Sequence, residues 1–95
     1  MKNLTLAVKK EWFEQIKNGT KKIEYRLYNE YWIKRLVGKQ FDKIIITLGY
    51  PKKDDKQKRL EFKWLGYKVE KVCHKEWDYK YKKVFVIKLG DKIGI

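Results

Sequence analysis

Residues 19–26 read Gly19-Thr20-Lys21-Lys22-Ile23-Glu24-Tyr25-Arg26, and the fold turns on how this stretch is understood. Ahead of it, Lys10 to Asn18 places Trp12, Phe13 and Ile16 on one helical face. Asn18-Gly19 then supplies residues that tolerate the left-handed conformation with which helices end. Behind it, Lys22 to Leu27 alternates as a strand does, with Ile23, Tyr25 and Leu27 facing one way and Lys22, Glu24 and Arg26 the other. The stretch therefore closes a helix and opens a strand, in the pattern G-x-K-x-x-E-x-R. The glycine lets the chain reverse, Lys21 projects from the turn, and Glu24 and Arg26 share one strand face. A carboxylate beside a guanidinium stays ionised and fixes the arginine fork. A lysine held close to such a pair meets phosphate or, if desolvated, serves as a base or nucleophile.

Working outward, Asn3–Val8 alternates Leu4, Leu6 and Val8 with polar or small positions and predicts a strand. On the other side, Asn29 caps a short helix from Glu30 to Val37, in which Trp32 and Leu36, and Ile33 and Val37, pair at i,i+4. Phe41 to Leu48 contains the run Ile44-Ile45-Ile46, the mark of a strand buried on both faces. Gly49-Tyr50-Pro51 turns the chain, and Lys52 to Arg59 reads as a solvated loop. Leu60 to Val72 is too long for one flat strand, and its apolar phase slips at Leu65-Gly66, which predicts a bulge or bend. Cys73 to Lys83 reads as an irregular loop, Val84 to Leu89 as the last strand, and residues 90–95 as a tail. The order β-α-β-α-β-β-β predicts one α+β domain over residues 1–95, built on a curled sheet or small barrel.

Composition narrows the chemistry. The 95 residues carry 25 Lys+Arg against 12 Asp+Glu, a formal net charge of +13, and such a body attracts polyanions. Lysine dominates the bases, a bias that an A/T-rich coding genome produces by itself, but that bias does not explain the excess of bases over acids. The excess is even: 11 bases and 5 acids in residues 1–48, 14 and 7 in residues 49–95. The positive field thus belongs to the folded body and not to a tail. The sequence holds no serine, which excludes a serine nucleophile. Cys73 and His74 are the single cysteine and the single histidine, adjacent in sequence. They offer neither a disulfide framework nor zinc-ligand spacing, and as neighbours on a strand they point apart. No metal site and no cofactor is expected. No apolar run reaches the ~18 residues of a membrane span, and residues 1–8 are too short and alternating for a signal peptide. A cytoplasmic, membrane-free protein is the expectation.

At G-x-K-x-x-E-x-R the sequence resembles the ASCH domain family, a branch of the PUA-like folds. The likeness extends over Leu6-Ala7-Val8-Lys9, through Tyr28-x-x-x-Trp32 and Phe41-Asp42-x-Ile44, to Gly49-Tyr50 and the terminal Val84-x-Val86-x-x-Leu89-Gly90. The first half of the chain carries it in detail and the second in outline. The resemblance implies a small barrel of about five to six strands with two short flanking helices, and a cleft lined by the motif residues. ASCH domains are proposed to bind RNA, some small members hydrolyse N4-acylated cytidines, and others have been described as ribonucleases. In the amidohydrolase type a threonine nucleophile stands where this chain has Glu24, beside a lysine matching Lys21. Thr20 is the nearest hydroxyl in sequence. A further acid expected from the later strands is Glu61, Glu70 or Glu76.

The expected ligand-binding set is therefore Lys9, Lys21, Glu24, Arg26 and Tyr50, with RNA or a modified nucleoside as partner. Lys21 and Glu24 are the catalytic candidates if the protein is an enzyme. Tyr50, beside a turn glycine and Pro51, is a candidate for stacking on an unpaired base. Trp12, Phe13 and Trp32, on amphipathic faces, read as core. Lys52–Arg59 and Lys80–Lys83 read as solvated loops. An accessory protein that binds a host macromolecule is the third functional class compatible with the sequence.

Overall fold

In the computed structural model, which describes residues 2–52, 54–74 and 78–93, the alternation at the N-terminus forms strand β1, Asn3–Val8, with Leu4, Leu6 and Val8 buried. Helix α1, Lys10–Lys17, follows with no side-chain cap at its start, and buries Phe13 and Ile16. Strand β2 spans Ile23–Leu27. The Asn29 side chain accepts a hydrogen bond from the Trp32 N–H at 3.0 Å and starts helix α2, Glu30–Leu36, whose Leu36 is fully buried. Val37 falls just outside the helix and is exposed, so the expected Ile33–Val37 pair is not a buried one. The chain then returns as strand β3, Lys43–Leu48, parallel to β1 in a register that sets Leu4 beside Ile44 and Leu6 beside Ile46. A parallel pair needs a long crossover, and α1, β2 and α2 supply it.

A short 3₁₀ turn at Lys56–Lys58 leads into β4, Arg59–Cys73, and β5, Tyr81–Ile93, which pair antiparallel along most of their length. The strand register slips between Phe62 and Trp64 and again between Trp64 and Tyr67, where the sequence loses its apolar phase. The bend presses β5 against β4: a Cβ added at Gly90 would lie 2.7 Å from the Lys63 carbonyl oxygen, so any side chain there forces the two strands to shift. Two boundaries differ from the sequence reading. Cys73 and Tyr81–Lys83 belong to strands, with Cys73 opposite Tyr81, and residues 90–93 continue β5 opposite β4. In both places exposed lysines and tyrosines leave no alternation to betray a ladder held by backbone hydrogen bonds.

The sheet runs β1-β3-β4-β5-β2. This is an α+β fold with a five-stranded mixed sheet and two short helices, and the barrel expected from the sequence is not closed. β1 and β2 form the two edges, and no backbone ladder joins them. Instead the Arg26 guanidinium reaches from β2 to the Ala7 carbonyl of β1 at 2.9 Å. A side chain stands where closure would require paired main chain. The strand buried on both faces is also not the expected one. Ile44 and Ile46 of β3 are fully buried but Ile45 is only half-buried, whereas Val84, Phe85, Val86 and Ile87 of β5 are all at most 5% exposed. Phe85, Ile87 and Leu89 join the main core with Phe13, Leu36 and Ile44. Val84 and Val86 point the other way, level with Leu27 and Tyr25 of β2. Among the described residues no helix is long and apolar enough to cross a membrane.

Candidate functional site

The end of α1 aims the first site residue. Gly19 takes a φ of 86°, and the Thr20 and Lys21 N–H groups both donate to the Gln15 carbonyl at 3.0 and 3.1 Å. This tight reversal turns Lys21 back toward the helix, with Nζ 5.5 Å from the Trp12 ring centre and 5.3 Å from that of Tyr25. The ammonium donates to the Ile23 carbonyl at 2.5 Å and lies 3.7 Å from Glu24 Oε1.

The alternation in β2 is as expected, but its polar side is the inner one. Glu24 stands level with the buried Ile87, and Arg26 with the buried Phe85, while Leu27 is exposed. Glu24 Oε2 accepts from Arg26 Nη2 at 2.8 Å, and Oε1 accepts from the Tyr25 N–H at 3.2 Å. The Arg26 guanidinium lies over the Trp32 ring at 5.1 Å, and its buried Nε donates to no protein atom. The side chains of Glu24, Lys21 and Arg26 are only 10%, 16% and 19% exposed, so water screens their attraction far less than on an open surface. Part of this arrangement serves the fold. β2 is an edge strand, and Lys21 and Glu24 satisfy outward backbone groups that no neighbouring strand pairs.

The same groups line a cleft of about 340 Å³ between the β1 and β2 edges. That volume lies at the lower end of the ~300–1,000 Å³ range of small-molecule sites. Trp12 from α1 and Trp32 from α2 contribute indole walls, and Lys9 and Asn29 also line the space. His74 reaches it from the end of β4, its ring edge-on to Trp12 with centres 6.0 Å apart. Among the described residues, three cations, Lys9, Lys21 and Arg26, thus face one carboxylate. The arrangement suits a planar, anionic ligand: indoles for a ring, cations for a phosphate, and Glu24 to accept from an amino group.

Of the residues expected from the sequence, the structure brings Lys9, Lys21, Glu24 and Arg26 together. It leaves Tyr50 outside, 97% exposed at its turn and absent from the cleft wall. Of the candidate later acids, Glu61 is paired with Lys43 across β3 and β4, and Glu70 is exposed on β4; neither lines the cleft. Glu76 lies outside the described residues. The Thr20 hydroxyl is hydrogen-bonded to Asn18 Oδ1 at 2.7 Å and does not line the cleft either. Trp12 and Trp32, read from sequence as core, pack against the core and wall the cleft at once. A residue at the boundary of an amphipathic face looks the same in sequence whether its outer side meets solvent or a ligand. His74 carried no sequence signal of its own. Its neighbour Cys73 is exposed, and its thiol lies 2.8 Å from the Tyr79 carbonyl.

Among the described residues, no group of three or more His, Cys, Asp or Glu side chains is placed to hold a metal ion. No family model matches the chain, and no curated protein or solved structure matches it either.

Proposed function

We propose that this chain is a small ASCH-type domain, with its sheet left open, that holds a nucleotide or a nucleotide of an RNA segment in the cleft between β1 and β2. One observation carries the reading: Lys21, Glu24 and Arg26 converge, largely desolvated, in a recess walled by Trp12 and Trp32. Arg26 and Lys21 contact phosphate or a base edge, Glu24 orients Arg26 and accepts from a base amino group, and the indoles stack on the base. The remaining lysines supply sequence-independent affinity. The element order and the G-x-K-x-x-E-x-R pattern at the α1–β2 junction support the family assignment.

Tryptophan fluorescence tests this directly, because two of the indoles wall the site. Titration with the four ribonucleoside 5′-monophosphates and their nucleosides is expected to quench it, with the phosphate-bearing forms bound more tightly. Lys21→Gln is expected to weaken nucleotide binding about tenfold, the worth of one good charge-assisted contact at ~1.4 kcal/mol. The proposal fails if no nucleotide binds, or if nucleotide affinity is the same at 0.05 and 0.3 M salt. A hydrolase of N4-acylated cytidine, or a ribonuclease, is the second reading, favoured by His74 sharing the cleft with Lys21 and Glu24. Incubation with N4-acetylcytidine and with RNA decides it: turnover abolished in Lys21→Gln replaces the binding module by an enzyme.

A further inference from the structure

Trp32 borders more than the cleft. On its far side it also walls a groove of about 470 Å³ between α2 and the unpaired edge of β1. Lys2, Lys34, Arg35 and Lys39 line this groove, and among the described residues no carboxylate does. β1 runs continuously from one site to the other, with Asn3 and Thr5 in the groove and Ala7 and Val8 in the cleft. The side chains are linked as well. Arg26 lies over Trp32 at 5.1 Å, Trp32 meets Tyr31 edge-on at 5.1 Å and 84°, and Arg35 lies over Tyr31 at 4.1 Å. Tyr31 nevertheless remains 56% exposed. A ring braced by two neighbours and open to solvent is a stacking platform. The cations around it, of which Lys34 is paired with Glu30 at 3.3 Å, outnumber the acid beside them and match a phosphate backbone. A duplex keeps its base faces covered, so a ring of this kind suits unpaired bases.

We infer that the ligand of this surface is a single-stranded RNA segment of more than one nucleotide. Resting on the cleft reading above, it extends that reading along β1. One nucleotide occupies the cleft, the chain passes Trp32, and the next base stacks on Tyr31 while its phosphates meet Arg35 and the lysines of the groove.

The test uses the whole protein and random-sequence oligoribonucleotides of one, two, four and eight residues, followed by tryptophan quenching. Affinity is expected to rise about tenfold or more from one residue to four. The log–log salt slope should steepen by about 0.7 for each added phosphate contacted. Tyr31→Ala and Arg35→Gln, both at exposed positions, should remove that rise and leave mononucleotide affinity within twofold of the parent. Circular dichroism checks that each variant keeps its fold. A mononucleotide bound as tightly as the octamer overturns the groove while the cleft reading survives. No binding at any length overturns both. The groove proposal also falls if the rise persists in both variants, if an eight-base-pair duplex binds more tightly than the single strand, or if octaglutamate competes as well as the RNA octamer.

Discussion

The couple between Glu24 and Arg26 can be weighed by a double-mutant cycle, using Glu24→Gln, Arg26→Met and their combination. The bond spans 2.8 Å between side chains that are 10% and 19% exposed. A hydrogen bond to a charged group contributes about 1.5–3 kcal/mol. The coupling energy should fall in that range, because both partners are largely out of water. Arg26→Met alone should cost more, about 3–5 kcal/mol, since it leaves Glu24 without its principal partner and strips the Ala7 carbonyl of its donor. At about 4–8 °C per kcal/mol for a domain of this size, the single variant should lose upwards of ~12 °C in Tm. The protein contains its own control. Glu30 and Lys34 on α2 form an i,i+4 pair at 3.3 Å with side chains 84% and 75% exposed, and their cycle should give about 0.3–0.5 kcal/mol. Urea unfolding, monitored by circular dichroism, supplies the free energies of the parent and the six variants. If the Glu24–Arg26 coupling is no larger than that of Glu30–Lys34, the pair is a solvated surface contact and the desolvated recess does not exist.

Other substitutions probe the frame around the site. Gly90→Ala places a methyl 2.7 Å from the Lys63 carbonyl and should destabilise the β4–β5 bend by about 1–3 kcal/mol in urea unfolding. Asn29→Ala removes the acceptor that caps α2 and should cost about 1 kcal/mol by the same measurement. Tyr50→Ala should leave nucleotide affinity within twofold and the unfolding midpoint unchanged, because its ring is 97% exposed and outside the cleft.

Much of this fold could be read locally, because periodicity is a local property of the chain. Alternation marked β1 and β2, the i,i+4 spacing marked α2 with its Asn29 cap, and the broken phase at Leu65-Gly66 marked the slip in β4. The helix-closing glycine and the short spacing from it to Glu24 and Arg26 already forced three charged heads into one neighbourhood. Local pattern says only that two faces differ, however, and not which one is turned inward. That depended on β5, a strand about sixty residues further on, whose Phe85 and Ile87 sit level with Arg26 and Glu24 and place the polar face of β2 inside. Strand order likewise left β1 and β2 as unpaired edges, so that Arg26 bridges an opening where the sequence had suggested a closed barrel.

The amino-acid sequence by itself determined the elements, the basic body and the Lys21, Glu24 and Arg26 cluster, since each follows from residue type and short-range spacing. Tertiary structure alone decided that Trp12, Trp32 and His74 surround that cluster and that Tyr50 and Glu61 do not. Those neighbours come from three separate segments, and only the packing of distant strands fixes which side chains share a cavity.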